Sequence, residues 1–388
     1  MTGLRGVRAP ATRRTIEGRS ARMQITTRVR SPGRVGPYSK PAMPPSPPTP
    51  TPRSFGAGGP TLADVGERAL LERLVAIARE SCPSGGSDGD DAAVWTPPAG
   101  KDLATSIDAL VEDVDFRRAW IAPHRLGRRA FAVAVSDLAA TGADPVHCVA
   151  TLCARGDEQA DDVLAIQAGL CEAAAASGCA VVGGDVSAID GPLVIDVCVT
   201  GSLPTGRALR RAAGRAGDLL VVTGVLGRSA AGLALLAEGA AGASDVERGW
   251  ISAHLEPVTR LREGARLLGA GVRCAGDVSD GILVDAARTA AASGCGVEIW
   301  AERLPVDDQL RLRFGQRWLE LAVGGGEDFE LLAAMPETLL DGLLHEWSAD
   351  LAPLTTIGLL TAGQGLRLLD ARGGRELTPP ASHARHFS

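Results

Sequence analysis

Residues 136–145, SDLAATGADP, join a predicted helix to a predicted strand in the first half of the chain. The apolar spacing before and through this stretch predicts a helix over residues 125–141. An apolar run then predicts a strand over residues 146–152. Asp137 interrupts the apolar face of the helix, too late in it to cap the N-terminus, and a charge placed there needs a partner.

Helix and strand patterns alternate on both sides of this stretch. Further helices are predicted over residues 62–77, 158–177, 229–237, 258–268, 282–292 and 337–347. Further strands are predicted over residues 103–107, 180–182, 193–200, 219–223, 297–300 and 329–334. A short strand is predicted to end at residue 278, and two more are predicted near residues 357 and 366. A seam near residues 201–217 divides these elements into two series. We therefore expect the α/β (α+β) class with two mixed domains, over residues 61–201 and 202–388, although alternation alone also allows one doubly wound sheet.

Residues 1–60 differ from the rest of the chain in composition. They hold 11 of the 24 prolines, and eleven basic residues against a single acidic one. Such proline density resists packing, so we expect an Arg- and Pro-rich disordered tail. Its acid-poor start superficially resembles a transit peptide, and a start codon assigned too early is a further alternative.

Composition excludes several classes of protein. Of the 388 residues, 45% are hydrophobic and 22% are charged, which rules out a wholly disordered or fibrous chain. Apolar runs are far shorter than the ~20 residues of a membrane helix, so we expect no membrane partner. The formal net charge is −6, and −16 without residues 1–60, which argues against a nucleic-acid partner. Eight cysteines without a C-x-x-C pair indicate free thiols in a reducing, cytoplasmic compartment.

The sequence lacks the common catalytic motifs. It contains no G-x-x-x-x-G-K-[ST] phosphate loop and no G-x-S-x-G nucleophile elbow. It also lacks an H-E-x-x-H pair and a Rossmann G-x-G-x-x-G after a strand. Any phosphate chemistry must therefore rest on metal ions, arginines and backbone amides.

Six acidic motifs lie where predicted strands or helices begin or end. They are GDDAAV at residues 89–94, TSID at 105–108, SDLAA at 136–140, GGD at 183–185, DVSDG at 277–281 and GGGED at 324–328. An Asp beside Gly is often only a turn residue or an N-cap, and Asp280 could cap the helix after it. Six such motifs in one acidic chain favour a shared site, and hard oxygen donors without His or Cys favour Mg²⁺ or Mn²⁺.

Taken in order, these segments resemble the thiamine-monophosphate kinase family. The resemblance rests on GDDAAV, TSID followed by DF, SDLAATGADP, VVGGD, GRALRRAAGRAGD, VTGVLGRSAAGL, DVSDGILVD and GGGEDFELL. It extends over about residues 62–357, and the family shares a superfamily with aminoimidazole ribonucleotide synthetase and selenophosphate synthetase. The resemblance implies a homodimer in which the N-terminal domains pair strands and the C-terminal domain completes an ATP site. It implies Mg²⁺-dependent transfer of the γ-phosphoryl group of ATP to thiamine monophosphate, with several ions and thiamine diphosphate as the product.

The resemblance also implies site residues. The implied metal ligands are Asp91, Ser106, Asp108, Asp137, Asp185, Asp277 and Asp280. The implied nucleotide contacts are Gly184, Arg211 and Ser279, and the implied thiamine contacts are Asp115 and Glu327. Mg²⁺ ions on these carboxylates would neutralise the repulsion between two polyanions, and Arg211 suits a phosphate clamp. Direct in-line transfer needs no protein nucleophile, so no catalytic residue is expected.

Three positions depart from the family pattern. Asp115 stands where many members have a substrate-contacting His, Ile107 where a hydroxyl residue is common, and Ala384 near the place of an aromatic residue that stacks on thiamine. These departures keep two alternatives open: another ATP-using enzyme of the superfamily, or a non-catalytic nucleotide-binding or regulatory protein. A selenophosphate synthetase would need a reactive Cys, and the one candidate, Cys82, lacks the Gly-rich, Lys-containing context of that enzyme.

Overall fold

The computed structural model describes residues 55–56, 58–81 and 92–380. The predicted tail up to residue 54 lies outside these residues, as do Cys82, Asp91 and Ala384. None of the helices in the described ranges is both long enough and apolar enough to cross a bilayer.

The described residues form eleven α-helices and eleven β-strands. The helices are α1 (Leu62–Val65), α2 (Glu67–Ser81), α3 (Pro123–Thr141), α4 (Ala160–Ala176), α5 (Arg228–Ala237), α6 (Asp245–Leu255), α7 (Leu261–Gly269), α8 (Ile282–Ala292), α9 (Asp308–Phe314), α10 (Trp318–Gly324) and α11 (Glu337–His345). The strands are β1 (Lys101–Val111), β2 (Asp144–Ala154), β3 (Ala180–Ala188), β4 (Val194–Pro204), β5 (Leu219–Thr223), β6 (Cys274–Val278), β7 (Gly296–Trp300), β8 (Glu330–Met335), β9 (Leu354–Thr361), β10 (Leu366–Leu369) and β11 (Glu376–Leu377). A 3₁₀ turn at Arg211–Ala213 lies between β4 and β5.

The first half of the fold contains a four-stranded sheet in the order β1-β4-β2-β3. β4 is antiparallel to both β1 and β2, whereas β2 and β3 are parallel. Helices α3 and α4 pack on one face, where Val197 and Val199 of β4 are buried. On the opposite face Leu103 and Ile107 of β1 are 44% and 60% exposed. That face therefore presents apolar side chains that the described residues leave open to solvent.

The second half contains a seven-stranded sheet in the order β11-β10-β7-β9-β5-β8-β6. Its strands are antiparallel apart from the parallel pair of β7 and β10. Helix α8 packs beside β6 and β7, and the core there includes Leu220, Ile282 and Leu332. Two separate sheets exclude the alternative of one doubly wound sheet and confirm a mixed α/β architecture.

Helix α3 contacts both halves. It packs on β1 and β4 of the first half and on β6, β8 and α7 of the second half. Glycines allow α3 to cross its neighbours closely. A Cβ at Gly127 of α3 would lie 1.9 Å from the carbonyl oxygen of Ile166 in α4, and a Cβ at Gly264 of α7 would lie 2.0 Å from the carbonyl oxygen of Ala139 in α3. The helix is therefore held from two sides, and side chains along it reach groups of either half.

The described start of the chain packs on the rest of the first half, unlike the tail predicted to extend to residue 60. The ring of Phe55 lies 4.8 Å from the guanidinium carbon of Arg118. The carbonyl oxygen of Pro60 accepts a hydrogen bond from the backbone N–H of Ala160 at 2.9 Å. Residues 55–56 and 58–60 thus belong with the folded part.

Candidate active site

The first candidate site is a crevice of about 470 Å³ between the two halves. β1 contributes Ser106, α3 contributes Asp137, the 3₁₀ turn contributes Arg211 and β6 contributes Gly276. The structure thus brings together two residues predicted at the metal and one predicted at the nucleotide.

Two carboxylates are anchored beside this crevice by neighbouring hydroxyl groups. The hydroxyl of Ser106 donates a hydrogen bond to Asp137, and the hydroxyl of Ser136 donates to Asp277 at 3.0 Å. Asp277 is buried and also accepts a hydrogen bond from Nη2 of Arg211 at 3.0 Å. Groups from β1, α3, β6 and the 3₁₀ turn therefore form one connected polar cluster.

Negative charge is concentrated in this cluster. Burial, together with the neighbouring Asp137 and Asp277 carboxylates, raises the pKa of Asp108 to about 6. Burial and Asp137 also raise the pKa of Asp277. Carboxylates that repel one another are stabilised by protons or by a cation, and Mg²⁺ prefers hard oxygen ligands of this kind.

The carboxylates suit an open site rather than a closed metal cage. In the described part of the chain, no three His, Cys, Asp or Glu side chains converge closely enough to hold a metal ion by themselves. Mg²⁺ usually takes one or two protein carboxylates and completes its shell with water and substrate phosphates. Asp108, Asp137 and Asp277 fit that mode of binding.

Arg211 lines the crevice, and one N–H group of its guanidinium has no hydrogen-bond partner among the described residues. Its Nη2 contacts Asp277, but its Nε is buried without a hydrogen-bond partner among the described residues. The side chain crosses Gly276 so closely that a Cβ there would lie 2.6 Å from Nε. Because a buried donor without a partner costs free energy, this arrangement fits an anionic ligand such as a phosphate group.

Two residues predicted at the nucleotide and the metal lie elsewhere. Gly184 and Asp185 line a separate cavity of about 250 Å³ among α2, α4 and the first sheet. Asp185 accepts a hydrogen bond from the hydroxyl of Ser187 at 3.0 Å. A Cβ at Gly184 would lie 2.2 Å from the carbonyl oxygen of Ala150, so close strand pairing already explains this glycine. The single chain does not bring these two residues to the crevice.

The second candidate site is a cavity of about 510 Å³ formed by the turn after β1, helices α5 and α6, and the Gly-rich loop before β8. Apolar walls come from Phe116, Trp120 and Leu233. Apart from His254, the ionisable side chains that line it are Asp113, Asp115, Arg117, Asp280, Glu320 and Glu327. Since five of these six are acidic, the cavity favours a cationic ligand with an apolar or aromatic part.

Glu327 enters this cavity from a constrained loop. Its φ of 64° lies in the left-handed region that residues with a Cβ rarely adopt. Its backbone N–H donates to the carbonyl oxygen of Ser279 at 2.8 Å. A Cβ at Gly325 would lie 2.3 Å from that of Ala230, and one at Gly326 would lie 2.5 Å from the Ser279 carbonyl oxygen. The glycines before Glu327 are therefore required by packing within the protein.

Asp115 enters the cavity from the first half. Its carboxylate accepts a hydrogen bond from the backbone N–H of Val111 at 2.8 Å, which stabilises the turn after β1. Asp113 in the same turn has a φ of 64°. Ile107, the other departure from the family pattern in this region, lies on the exposed face of the first sheet.

Ser279, a predicted nucleotide contact, and Asp280, a predicted metal ligand, line the second cavity and not the crevice that holds Asp137 and Arg211. The carboxylate of Asp280 pairs with Arg288. Asp280 does not cap α8, because Gly281 is the N-cap residue and no side chain caps it; the carboxylate of Asp285 accepts the backbone N–H groups of Ser279 and Asp280 at 3.1 and 3.0 Å. The predicted roles of Ser279 and Asp280 remain predictions.

Two residues beside the second cavity were not predicted from the sequence. Arg129 of α3 is buried and donates to Oε1 of Glu327 at 2.5 Å and to the carbonyl oxygen of His254. Burial and the Arg129 charge lower the pKa of His254 to about 3, so its imidazole is neutral. Arg129, like Asp137, is a charged residue within the apolar face of α3. The sequence pattern that indicates a role for Asp137 therefore also indicates one for Arg129.

Family comparisons divide the chain into the same two halves. A family model described as AIR synthase related protein, N-terminal domain, matches residues 89–203. A second model, for the C-terminal domain of the same proteins, matches residues 215–370. The chain is therefore an AIR synthase related protein with both domains of that class.

Comparison with individual relatives identifies the family within this class. Thiamine-monophosphate kinase of Bacillus subtilis (strain 168) is 35% identical over 273 residues, which make up 70% of this chain and 83% of that protein. The crystal structure of thiamine-monophosphate kinase from Stenotrophomonas maltophilia K279a is 32% identical, with a TM-score of 0.69 over 77% of this chain and 95% of that one. The structure of AaThiL complexed with AMPPCP and TMP is 30% identical, with a TM-score of 0.66 over 86% and 100% of the two chains. The chain belongs to the thiamine-monophosphate kinase family, which confirms the resemblance found in its sequence.

Proposed function

We propose that this chain is a thiamine-phosphate kinase, which transfers the γ-phosphoryl group of ATP to thiamine monophosphate and releases thiamine diphosphate and ADP. The observation that carries the proposal is the pair of sites along α3: a crevice with carboxylates and an unused arginine donor near Asp137, and an acidic cavity with aromatic walls near Arg129. The relative solved with AMPPCP and TMP supports the same pair of ligands.

The acidic cavity complements the thiamine part of the acceptor. Thiamine carries a cationic thiazolium ring and an aminopyrimidine ring. Asp115 and Glu327 would face the positive charge, and Phe116 and Trp120 offer aromatic faces to the rings. Arg117 is the cation among the charged lining residues, with its guanidinium carbon 4.7 Å from the Trp120 ring centroid, and it would receive the acceptor phosphate.

The crevice complements the phosphates of ATP. Arg211 would bind phosphate oxygens through its buried Nε, and the further proposed nucleotide contacts are Gly184 and Ser279. Ser106, Asp108, Asp137 and Asp277 would hold Mg²⁺, and the further proposed ligands are Asp91, Asp185 and Asp280. When bound, Mg²⁺ neutralises the charge of the two phosphate groups that must meet. Because the acceptor phosphate is ionised near neutral pH, the chain itself needs no nucleophile and no strong base.

We also propose a homodimer formed through the first sheet. Leu103, Ile107 and Val149 are exposed on the strands of that sheet, and the same surface on a second copy would bury them. A two-fold contact of this kind closes with two copies. Light scattering after gel filtration should give twice the mass of one chain, and Ile107→Asp should shift it toward the mass of one chain. A wild-type monomer would contradict the proposal.

The function is tested by thiamine diphosphate formation with the full chain. The protein is incubated with ATP, Mg²⁺ and thiamine monophosphate, and both products are measured by chromatography. We expect thiamine diphosphate and ADP in equal amounts, and neither product when Mg²⁺ is omitted. ADP without thiamine diphosphate would indicate a different acceptor, and nucleotide binding without ADP would indicate a non-catalytic homologue.

A further inference from the structure

Arg129 is a deeply buried charge beside the 510 Å³ cavity that Glu327 lines, which we call the acceptor cavity. Its side chain is 1% exposed and lies on α3 among the buried apolar residues Leu126, Ala130 and Phe131. A guanidinium does not lose its proton in a protein, so it is buried at acceptable cost only when hydrogen bonds or an opposite charge satisfy it. The partners of Arg129 therefore indicate its role.

The donors of Arg129 reach three segments drawn from both halves of the fold. Nη2 donates to Oε1 of Glu327 at 2.5 Å and lies 3.5 Å from the carbonyl oxygen of Asp115. Nη1 donates to the carbonyl oxygen of His254. Asp115, His254 and Glu327 all line the 510 Å³ cavity. One buried side chain thus ties together the segments that present these three residues to the proposed acceptor.

Glu327 depends on such a partner because of its backbone and its surroundings. Its left-handed φ of 64° is unfavourable for a residue with a Cβ, so contacts must hold it there. Burial raises the pKa of Glu327, the Arg129 guanidinium opposes that rise, and Asp115 adds to it. Nδ1 of His254 lies 3.3 Å from Oε2 of Glu327, but that imidazole is neutral. Arg117 of the turn after β1 lines the same cavity, but Arg129 is the cation that acts on the pKa of Glu327.

We propose that Arg129 is a positioning residue for the acceptor: it holds Glu327 in its constrained loop, aims the carboxylate into the cavity and keeps it negatively charged toward a cationic acceptor ring. This inference rests on the proposed function, because it assumes that the acceptor is thiamine monophosphate. Helix α3 is packed against both halves, so Arg129 is a fixed anchor for a loop of the second half.

A simple brace between the halves is the competing explanation, and the neighbouring residue provides a matched control. Arg128 also spans the halves, because it donates to Glu256 at 3.0 Å and to Glu172 of α4. Neither of those acids lines the acceptor cavity. Arg128→Met therefore removes an ion pair between the halves without removing a contact to Glu327.

The test is a double-mutant cycle of Arg129→Met and Glu327→Gln, with Arg129→Lys and Arg128→Met measured beside it. KM values for thiamine monophosphate and ATP are determined, and binding of thiamine monophosphate is measured by equilibrium dialysis. Arg129→Met and Glu327→Gln should each weaken thiamine monophosphate about 10- to 100-fold and change KM for ATP less than about twofold, given the strength of charged hydrogen bonds. The double variant should be no weaker than Glu327→Gln, because Arg129 acts through that carboxylate.

A pH series from 6 to 9 separates positioning from a folding defect. Without the guanidinium, the pKa of Glu327 should rise further, so the affinity of Arg129→Met for thiamine monophosphate should recover as the pH rises. Arg129→Lys keeps the charge and should retain most of the affinity, and Arg128→Met should follow the wild type at every pH. Circular dichroism shows whether each variant folds. Should Arg129→Met fail to fold, Arg129→Lys and the double variant, which leaves no unpaired charge, give the same comparison.

Two results would overturn the inference alone. One is additive loss of affinity in the double variant, and the other is equal weakening of both substrates in Arg129→Met. A wild-type chain that neither binds nor phosphorylates thiamine monophosphate would overturn the proposed function, and this inference with it.

Discussion

The carboxylate of Asp137 provides a sharp test of the crevice. Asp137→Asn keeps the shape of the side chain and an oxygen that can accept the hydroxyl hydrogen of Ser106, but it removes one negative charge. If Asp137 holds Mg²⁺, turnover should fall about 100- to 1000-fold, as it does when one group that stabilises transition-state charge is lost. The fold should survive because Asn fills the same space.

The stability of the same variant should change in the opposite direction. The rise in the pKa of Asp108 from 3.8 to about 6 corresponds to about 3 kcal/mol, and burial is its main cause. Asp108 is partly exposed to solvent, so we assign about 1 kcal/mol to repulsion from Asp137. The folded state prefers protonated Asp108, so this cost is present above about pH 6 and disappears as the pH falls toward 4. At pH 8 the Asn variant should therefore be the more stable protein.

Thermal unfolding with and without Mg²⁺ measures these effects independently of turnover. Without Mg²⁺, Asp137→Asn should unfold about 2 °C above the wild type. Mg²⁺ at about ten times its dissociation constant should stabilise the wild type by about 1.4 kcal/mol, and the variant by much less. Equal stabilisation of both proteins by Mg²⁺, together with near-normal turnover of the variant, would refute the assignment of Asp137 to the metal.

Three further predictions concern other parts of the chain. Trp120→Leu should raise KM for thiamine monophosphate about tenfold with little change in KM for ATP. Trp120→Phe should keep most of the affinity for thiamine monophosphate, because an aromatic face remains. Equal kinetics for both variants would exclude stacking on this ring. His254 has a pKa of about 3 in the folded chain, so below pH 6.5 the unfolded chain binds more protons and stability falls. Urea unfolding should show a loss of about 1.4 kcal/mol from this group at pH 5.5, absent in His254→Gln, and identical pH slopes would argue for a charged imidazole. Deletion of residues 1–54 should leave thermal stability and turnover unchanged. Deletion of residues 1–60 also removes the packed ring of Phe55 and should lower the free energy of unfolding by about 1–2 kcal/mol. Equal stability of the two shortened chains would show that this contact is unimportant.

Hydrophobic patterning predicted the elements in which apolar burial extends over the whole length. β5 and α8 have the predicted bounds, and α3 begins two residues before its predicted start. β1 and β2 each extend over eleven residues, well beyond the predicted segments. Their ends pair with β4 through backbone hydrogen bonds, which leave no mark in the hydrophobic pattern.

Helix α6 of the second half is not predicted from the sequence, because few of its residues are buried. In α6 the buried apolar residues are Trp250 and Leu255, which are too few to give a helical period. A different signal was present, since Ser244 and Glu247 form a capping box at its start. The neglect of α6 also concealed His254, which its last turn brings to the acceptor cavity.

Individual charges in apolar helices were informative, but their partners were not predictable from the sequence. Asp137 was recognised because it interrupts the apolar face of α3, and Arg129 interrupts the same helix. The contact of Arg129 with Glu327 joins residues 198 positions apart and depends on how the two halves meet. Asp185 shows the converse: its role at the metal is predicted from a motif, and in the single chain the strand that carries it places it beside a different cavity, so that role stays a prediction.

Helix α3 explains why two sites of different chemistry can cooperate. Arg129 and Asp137 are eight residues apart on one helix, which separates them by about 12 Å along its axis. Glycine-mediated crossings with α4 and α7 fix the helix against both halves, so this separation does not depend on loop conformation. Arg129 anchors the loop that carries Glu327, and Asp137 anchors the carboxylate cluster beside Arg211. A rigid element thus sets the distance between the proposed acceptor site and the proposed phosphate site, and in-line transfer between two bound substrates requires a distance of this kind to be fixed in advance.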